Sequence, residues 1–395
     1  MTNVYTIIRN NIKLVSIVIL AIALFCYAMF QGGFVSWFIF FVISPFLLYA
    51  IMLYIVPLRF SITERNIYPS YAKHGDDLQI TVGFRNNTRI PLAFLTVREM
   101  AEEHHLNDNS KLIFVGFKRY FEWTYEVKNV TRGEYRFQGL AFTVTDFFGW
   151  AIRQKNVEAP HAILVYPKTV AIPFSTMQMQ YDQGTVASKY TILKDTTMAT
   201  GVRNYQPGDR FSWIHWKSFA KDGTLRTKEF EDRQAQRLLV CIQQSSVKHF
   251  EEAVSLTASI MQSIVKHNGE VSFATAGENR LYMPVVRTDG QLEKVMRHLA
   301  IVQASGEDTA TTIVRSRYQG LNQSILIIVT GEFTKECQQL LLSKAPHVRA
   351  IICFVIVTKD ELKSMTNTYR TIGQNRVIYL TEDMFSQAFT EVNRP

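Results

Sequence analysis

Residues 14–30, "LVSIVILAIALFCYAMF", and residues 34–56, "FVSWFIFFVISPFLLYAIMLYIV", contain no charged side chain. Apolar runs of this length read as membrane-spanning helices. At 1.5 Å per residue the second crosses a hydrocarbon core of about 30 Å, and the first just does so if Ile12 and Lys13 extend it by snorkelling. Only "QGG" separates them, so a tight two-helix hairpin is expected.

Arg9 and Lys13 precede the first run, Arg59 and Arg65 follow the second, and the connecting turn has no charge. Basic flanks mark the cytoplasmic side, so a two-pass protein of the cytoplasmic membrane with both termini in the cytoplasm is expected. A cleaved signal peptide fits less well, because no small-residue cleavage site follows the first run and a second apolar run comes at once. Phe25 before Cys26 also argues against lipoprotein processing.

The whole chain of 395 residues has 43 Lys and Arg against 34 Asp and Glu, a net charge of +9. A basic body beside an anionic leaflet is favoured electrostatically. No basic run of the kind that tracks phosphates occurs, so a nucleic-acid partner is not expected. The four cysteines show no C-x-x-C spacing, which excludes a zinc box or redox pair of that type.

Beyond the hairpin, short alternating runs recur between turn signals. "DLQITVGF" places Leu78, Ile80, Val82 and Phe84 on one face, and similar runs continue to about residue 170. The pattern predicts an antiparallel β-sandwich of six to eight strands. Asp146, just before an aromatic-Gly turn, is expected to cap backbone N–H groups. After residue 235 continuous apolar strands alternate with helices, as in a doubly covered parallel sheet. The expected organisation is a hairpin over 1–58, a β-sandwich over 59–172, a polar linker over 173–200 and a final α/β region over 201–395. The fold class is therefore α+β multidomain.

Ligands of such sheets bind beyond the carboxyl ends of the strands. A von Willebrand A-type domain carries a D-x-S-x-S loop after its first strand and often an acid after a later one, where hard oxygens hold a divalent ion. Here Gln243 takes the Asp position, Val247 one of the hydroxyl positions and Gly331 the later acidic position, leaving Ser245 alone in agreement. Strong Mg²⁺ binding is not expected, and no metal or cofactor is assigned. Phosphate-loop, zincin and hydrolase-elbow patterns are absent from the sequence.

The densest polar stretch is "GVRNYQPGDRFSWIHWKSFAKDGTLRTKEFE", residues 201–231. "QPGD" reads as a tight turn, and Asp209 is expected to cap the short helix of "RFSWIHWKSFA". Trp213, Trp216 and Ala220 share one face for packing. Arg203, Lys217 and Lys221 are expected to stand opposite Glu229 and Glu231. His215 becomes a general base only if Asp209 orients it beside a nucleophile; its neighbours Trp213, Ile214 and Trp216 suggest a half-buried imidazole instead. Most of this network is expected to pin the linker to the sheet, the remainder serving as a partner surface.

This stretch resembles the signature of the domain of unknown function 58 family. The matching positions are Gly201, Arg203, Tyr205, Pro207, Gly208, Asp209, Ile214, His215, Trp216, Lys217, Ala220, Leu225 and Glu229; Asn204, Phe219 and Lys221 depart from the commonest residues. The resemblance extends to the hairpin, the "RGEYRF…DFFG" segment and the C-terminal part. It implies a von Willebrand A-like C-terminal half of Rossmann type. It also implies bacterial partners at the cell envelope, a MoxR-type AAA+ ATPase and a transglutaminase-like membrane protein. The absence of the acid at Gln243 argues against metal-dependent adhesion and leaves a metal-free docking role. A non-enzymatic membrane-anchored adaptor is therefore the expected function, with a hydrolase or transferase using His215, Asp209 and Lys217 as the alternative.

Overall fold

The computed structural model describes residues 2–102, 109–173, 199–206, 209, 211–230, 238–245, 247–277, 279–306, 308–315, 324–343, 348–365 and 368–392. Contacts divide the chain into two compact units, Met1–Tyr166 and Pro167–Pro395.

The first unit begins with two helices, α1 (Thr2–Gln31) and α2 (Phe34–Ile55), both long and apolar enough to cross a membrane by length and composition. The strands that follow are β1 (Phe60–Tyr68), β2 (Ala72–Lys73), β3 (Leu78–Asn86), β4 (Leu92–Ala101), β5 (Ser110–Gly116), β6 (Tyr120–Val127), β7 (Gly133–Thr145) and β8 (Ile152–Tyr166). They form a three-stranded sheet, β1-β3-β6, and a five-stranded sheet, β2-β8-β7-β4-β5. The alternation read from the sequence holds: Leu78, Ile80, Val82 and Phe84 are buried on β3, and Phe121, Trp123, Tyr125 and Val127 on β6. Phe142 of the larger sheet stacks on Phe60 at 4.4 Å and meets Phe84 at 5.2 Å, joining the two layers.

The hairpin and the sandwich share one core, since Ile17, Leu47, Ala50 and Leu53 pack into the same apolar cluster as the strands. Arg153, one residue into β8, donates to the carbonyls of Leu53 (2.7 Å), Tyr54 (3.1 Å) and Val56 (2.7 Å). A helix leaves its last carbonyls without intrahelical partners, and a cation there also opposes the macrodipole.

Arg65, read from the sequence as a flanking charge, is buried within the sandwich. On β1 it points inward, where its Nη2 donates to Glu99 Oε1 at 2.9 Å, and the two side chains are 5% and 0% exposed. Tyr125 donates to Glu99 Oε2 at 2.7 Å, and the Arg65 guanidinium lies 4.7 Å from the centre of the Phe137 ring. Arg59 remains exposed.

The second unit opens with a two-stranded ribbon, β9 (Ala199–Asn204) and β10 (Arg226–Phe230), enclosing a 3₁₀ turn (Phe211–Trp213) and α3 (Trp216–Asp222). The rest is β11 (Leu238–Ile242), α4 (Phe250–Lys266), β12 (Val271–Ala274), β13 (Tyr282–Val286), α5 (Asp289–Ile301), α6 (Thr309–Arg315), β14 (Ser324–Thr330), α7 (Lys335–Leu342), β15 (Val348–Ile356), α8 (Lys359–Ser364), β16 (Tyr369–Ile372), β17 (Asn375–Leu380) and α9 (Ala388–Val392). One seven-stranded sheet runs β13-β12-β11-β14-β15-β17-β16.

Its five central strands are parallel, but the expectation of a wholly parallel sheet is corrected at both edges. β13 pairs antiparallel with β12 and β16 antiparallel with β17, because each follows or precedes its neighbour through a connection too short for a crossover. β11 and β14 are adjacent and parallel although three helices and two strands separate them in sequence. This is the point where the strand order reverses, and in open α/β sheets the crevice forms there. The segment expected as a linker, 173–200, lies almost wholly outside the described residues.

Candidate functional site

Two places gather the residues singled out in the sequence. The first is the β9–β10 ribbon. Asp209 holds it together: Arg203 donates to it through both Nη1 (2.9 Å, to Oδ2) and Nη2 (2.7 Å, to Oδ1). The Gln206 amide (3.0 Å) and the Thr227 hydroxyl (3.0 Å) also donate to Oδ2. A two-pronged guanidinium–carboxylate pair fixes geometry as well as charge. Asp209 therefore ties one strand to the other instead of capping α3.

The cap of α3 is His215, whose Nδ1 accepts from the Ser218 amide at 3.2 Å and lies 2.7 Å from the Ser218 hydroxyl. With Nδ1 accepting, the ring proton resides on Nε2. The His215 amide donates to Arg226 O (2.8 Å) and the Tyr205 amide to Leu225 O (3.0 Å), stitching the enclosed segment to β10. Ile214 is the anchor, only 3% exposed and bridged to Thr227. Gly201 pairs in register with Glu229. At the far end Gly223, at φ 69°, closes α3 in the left-handed conformation that glycine adopts without strain.

Arg203 thus pairs with Asp209, six positions along. Lys217 and Lys221 are exposed on α3. The side chains of Glu229 and Glu231, together with Pro207 and Gly208, lie outside the described residues.

The aromatic face expected to pack is open instead. α3 buries none of its residues; Ala220 is exposed, as are Phe211 (76%), Trp216 (59%), Phe219, Trp213, Val202 and Leu225. Trp216 and Phe219 meet edge to face at 6.2 Å.

The Arg203 pair, followed by the Gln206 and Thr227 hydrogen bonds, holds the Asp209 carboxyl down at about 2. A depressed acid contributes stability that is complete above the unfolded value near about 4 and is lost as pH falls through the folded value. Fluorine-labelled Trp213 and Trp216 should accordingly keep one set of resonances down to about pH 4 and shift only as the pH approaches about 2. A shift centred near 4 would mean that Asp209 is not held.

The second place is the set of loops at the carboxyl ends of β11 and β14. Gln243 donates from Nε2 to Asp308 Oδ1 at 2.6 Å and accepts from the Ala310 amide at 3.0 Å. The Thr309 hydroxyl bonds Gln244 Oε1 at 3.2 Å. Ser245 is half-buried, its Oγ without a hydrogen-bond partner among the described residues, and Val247 points into solvent. Gly331 is buried where two backbones cross, and a Cβ there would stand 1.8 Å from the Lys248 carbonyl oxygen. Among the described residues no group of three or more His, Cys, Asp or Glu could hold a metal ion. Sequence reasoning missed Asp308, Thr309, Ser218 and Thr227, because polar residues in short loops carry no periodicity.

Residues 201–364 match the family model described as Protein of unknown function DUF58. A protein of Bacillus subtilis (strain 168), described as Uncharacterized protein YeaD, is 32% identical over 336 residues, covering 83% of this chain and 84% of that one. The chain belongs to this family. The match to the family model begins at the ribbon, and the likeness to the Bacillus subtilis relative reaches well beyond it. Among solved structures, the CARDB domain of a Pyrococcus furiosus protein is 18% identical, covering 28% of this chain and 93% of that one with a TM-score of 0.20. The ApaA protein of Bordetella pertussis is 14% identical, covering 28% and 94%, with a TM-score of 0.19. Scores this low carry no argument.

Proposed function

We propose that this DUF58 family protein is a non-enzymatic, membrane-anchored adaptor. In this reading the hairpin spans the cytoplasmic membrane with both termini in the cytoplasm, and the ribbon docks a MoxR-type AAA+ ATPase, an envelope client such as a transglutaminase-like membrane protein, or both. The observation that carries it is the open aromatic face of Phe211, Trp216 and Phe219 on a ribbon locked by Asp209. Trp and Arg anchors dominate protein interfaces, and a preorganised surface loses little entropy on docking. A von Willebrand A-like identity for the C-terminal unit is supported by the open doubly wound strand order with its reversal between β11 and β14. Metal-dependent adhesion is not part of the proposal, because Gln243 puts an amide where a carboxylate would be needed.

The second reading, a hydrolase or transferase, draws on one distance, the 2.7 Å between His215 Nδ1 and the Ser218 hydroxyl. Against it, Asp209 is committed to Arg203, Gln206 and Thr227, and Lys217 stands in solvent, so neither orients the imidazole. One experiment separates the readings. Full-length chain carrying Phe211→Ala and Trp216→Ala should lose co-purification of the ATPase from native membranes in mild detergent by tenfold or more, on the order of two hot-spot residues. His215→Ala or Ser218→Ala should retain it. Equal recovery from the aromatic variant and the unaltered chain would sink the adaptor reading.

A further inference from the structure

The turn between β7 and β8, "DFFGW", is built rigidly and presents apolar side chains outward. Asp146 accepts from the Ala151 amide at 3.1 Å and its own amide donates to Ala151 O at 3.2 Å, closing the turn. Phe147 and Phe148 are then 50% and 56% exposed. Both pack on one side against α2: Phe46 meets Phe147 at 5.8 Å and Phe148 at 5.1 Å, and Tyr49 meets Phe147 at 5.7 Å. Phe94 joins Phe147 to Phe114 at 5.9 Å on each side. Phe114 and Phe117, at the end of the edge strand β5, are among the most exposed apolar residues of the unit.

The depth of this cluster follows from the hairpin. Phe25 faces Phe40 at 5.8 Å, and equal steps outward from that pair place Lys13 level with Met52. Phe46 is six residues below Met52, about 9 Å along the helix axis. A bilayer edge at Lys13 therefore runs above Phe147 and Phe148. If the turn stayed in water instead, only residues 34–45 of α2 would remain for lipid, about 18 Å against a core of about 30 Å.

We infer that the β-domain is seated in the bilayer, with Phe147 and Phe148, flanked by Phe114 and Phe117, among the acyl chains just beneath the headgroups. The inference rests on the hairpin spanning a membrane. Aromatic side chains are enriched at the acyl–headgroup boundary immediately above this level. Arg89, Lys118 and Arg119 are exposed beside the same end of the sandwich, where they face anionic headgroups.

The test uses full-length protein in bilayers containing anionic lipid. Cys241, Cys337 and Cys353 are buried, so a nitroxide can be placed at native Cys26 or, in a Cys26→Ala chain, at Phe148→Cys or Lys128→Cys. Lys128 is exposed at the opposite end of β6. Collision with oxygen should exceed collision with a water-soluble nickel chelate several-fold at 26 and 148, with the order reversed at 128. Nickel access at 148 with oxygen access at 26 would overturn this inference and leave the hairpin standing. Nickel access at 26 would overturn the span itself. Shielding from both reagents at 148 would mean that protein covers the turn, and would also overturn the inference. A second readout needs no new side chain at the turn: in a Trp37→Phe chain, lipids brominated near the headgroup should quench Trp150, which stacks on Phe148 at 4.8 Å. That quenching should vanish with Trp150→Phe. Its absence in the Trp37→Phe chain would count against the inference.

Discussion

Replacing Arg65 by Met should destabilise the first unit by about 3–5 kcal/mol at neutral pH, the cost of leaving one member of a buried ion pair without its partner. Glu99 is fully buried and, once Arg65 is gone, keeps only the Tyr125 hydroxyl as a side-chain partner among the described residues. Burial already pushes the Glu99 carboxyl above the ordinary range, with Arg65 and Tyr125 pulling the other way. An acid with a raised folded value contributes stability that is present below its unfolded value and lost as pH rises through the folded one. Removing Arg65 raises that value further, so the deficit of Arg65→Met should shrink in mild acid and grow towards neutrality. Adding Glu99→Leu and Tyr125→Phe should recover most of the loss, because a well-packed apolar replacement of a buried pair is often neutral or stabilising. Denaturant unfolding of the detergent-solubilised chain, followed through Trp123 beside Tyr125, measures all three variants. A cost below about 1 kcal/mol for Arg65→Met would place the pair among weak surface bridges.

Arg65 also shows where sequence reading stops. From order alone it sits nine positions beyond the end of the second apolar run and counts as a flanking charge. Only the pairing of β1 with β3, and the placement of β4 across the core, reveals that it faces Glu99. Pattern was enough for the hairpin and for the central strands β11, β14 and β15, written as continuous apolar runs, and for the inward faces of β3 and β6, written as alternation. It failed at β13 and β16, short edge strands whose largely uncovered residues form neither a buried apolar run nor a regular alternation.

The ribbon was legible as a motif but not as a geometry. Sequence placed Asp209 at the start of a short helix, where an acid commonly caps. In the fold the helix begins seven residues later, His215 takes that role, and Asp209 is freed for Arg203. The aromatic residues misled in the opposite direction: Trp213 and Trp216 at helical spacing read as a packing face, yet Ile214 between them is the buried residue. A ribbon of two strands has only one side to bury, and the side chains of Ile214 and Thr227 already occupy it.

Gly331→Ala should cost about 3 kcal/mol or more, at the upper end for overpacking, because the methyl group meets main chain that cannot rotate away. Its Cβ would stand 1.8 Å from Lys248 O, 2.9 Å from Lys248 C and 3.0 Å from His249 C. The segment it would push is already constrained: His249 holds a left-handed φ of 52° at the start of α4, and Lys248 bonds Glu361 of α8 at 2.5 Å. Hydrogen exchange of the full chain should therefore speed up across β14 and the first turn of α4 in Gly331→Ala. Gly290→Ala, where a Cβ meets nothing within 4 Å inside α5, should be stabilising by about 0.5–1 kcal/mol. Equal protection in the two variants would show that the crossing yields freely. The same contact explains why the position carries glycine: an aspartate there would need its own Cβ in the space held by the Lys248 carbonyl. An acid at 331 would thus require the 248–249 backbone to move away, so the lack of a carboxylate at that position follows from main-chain packing.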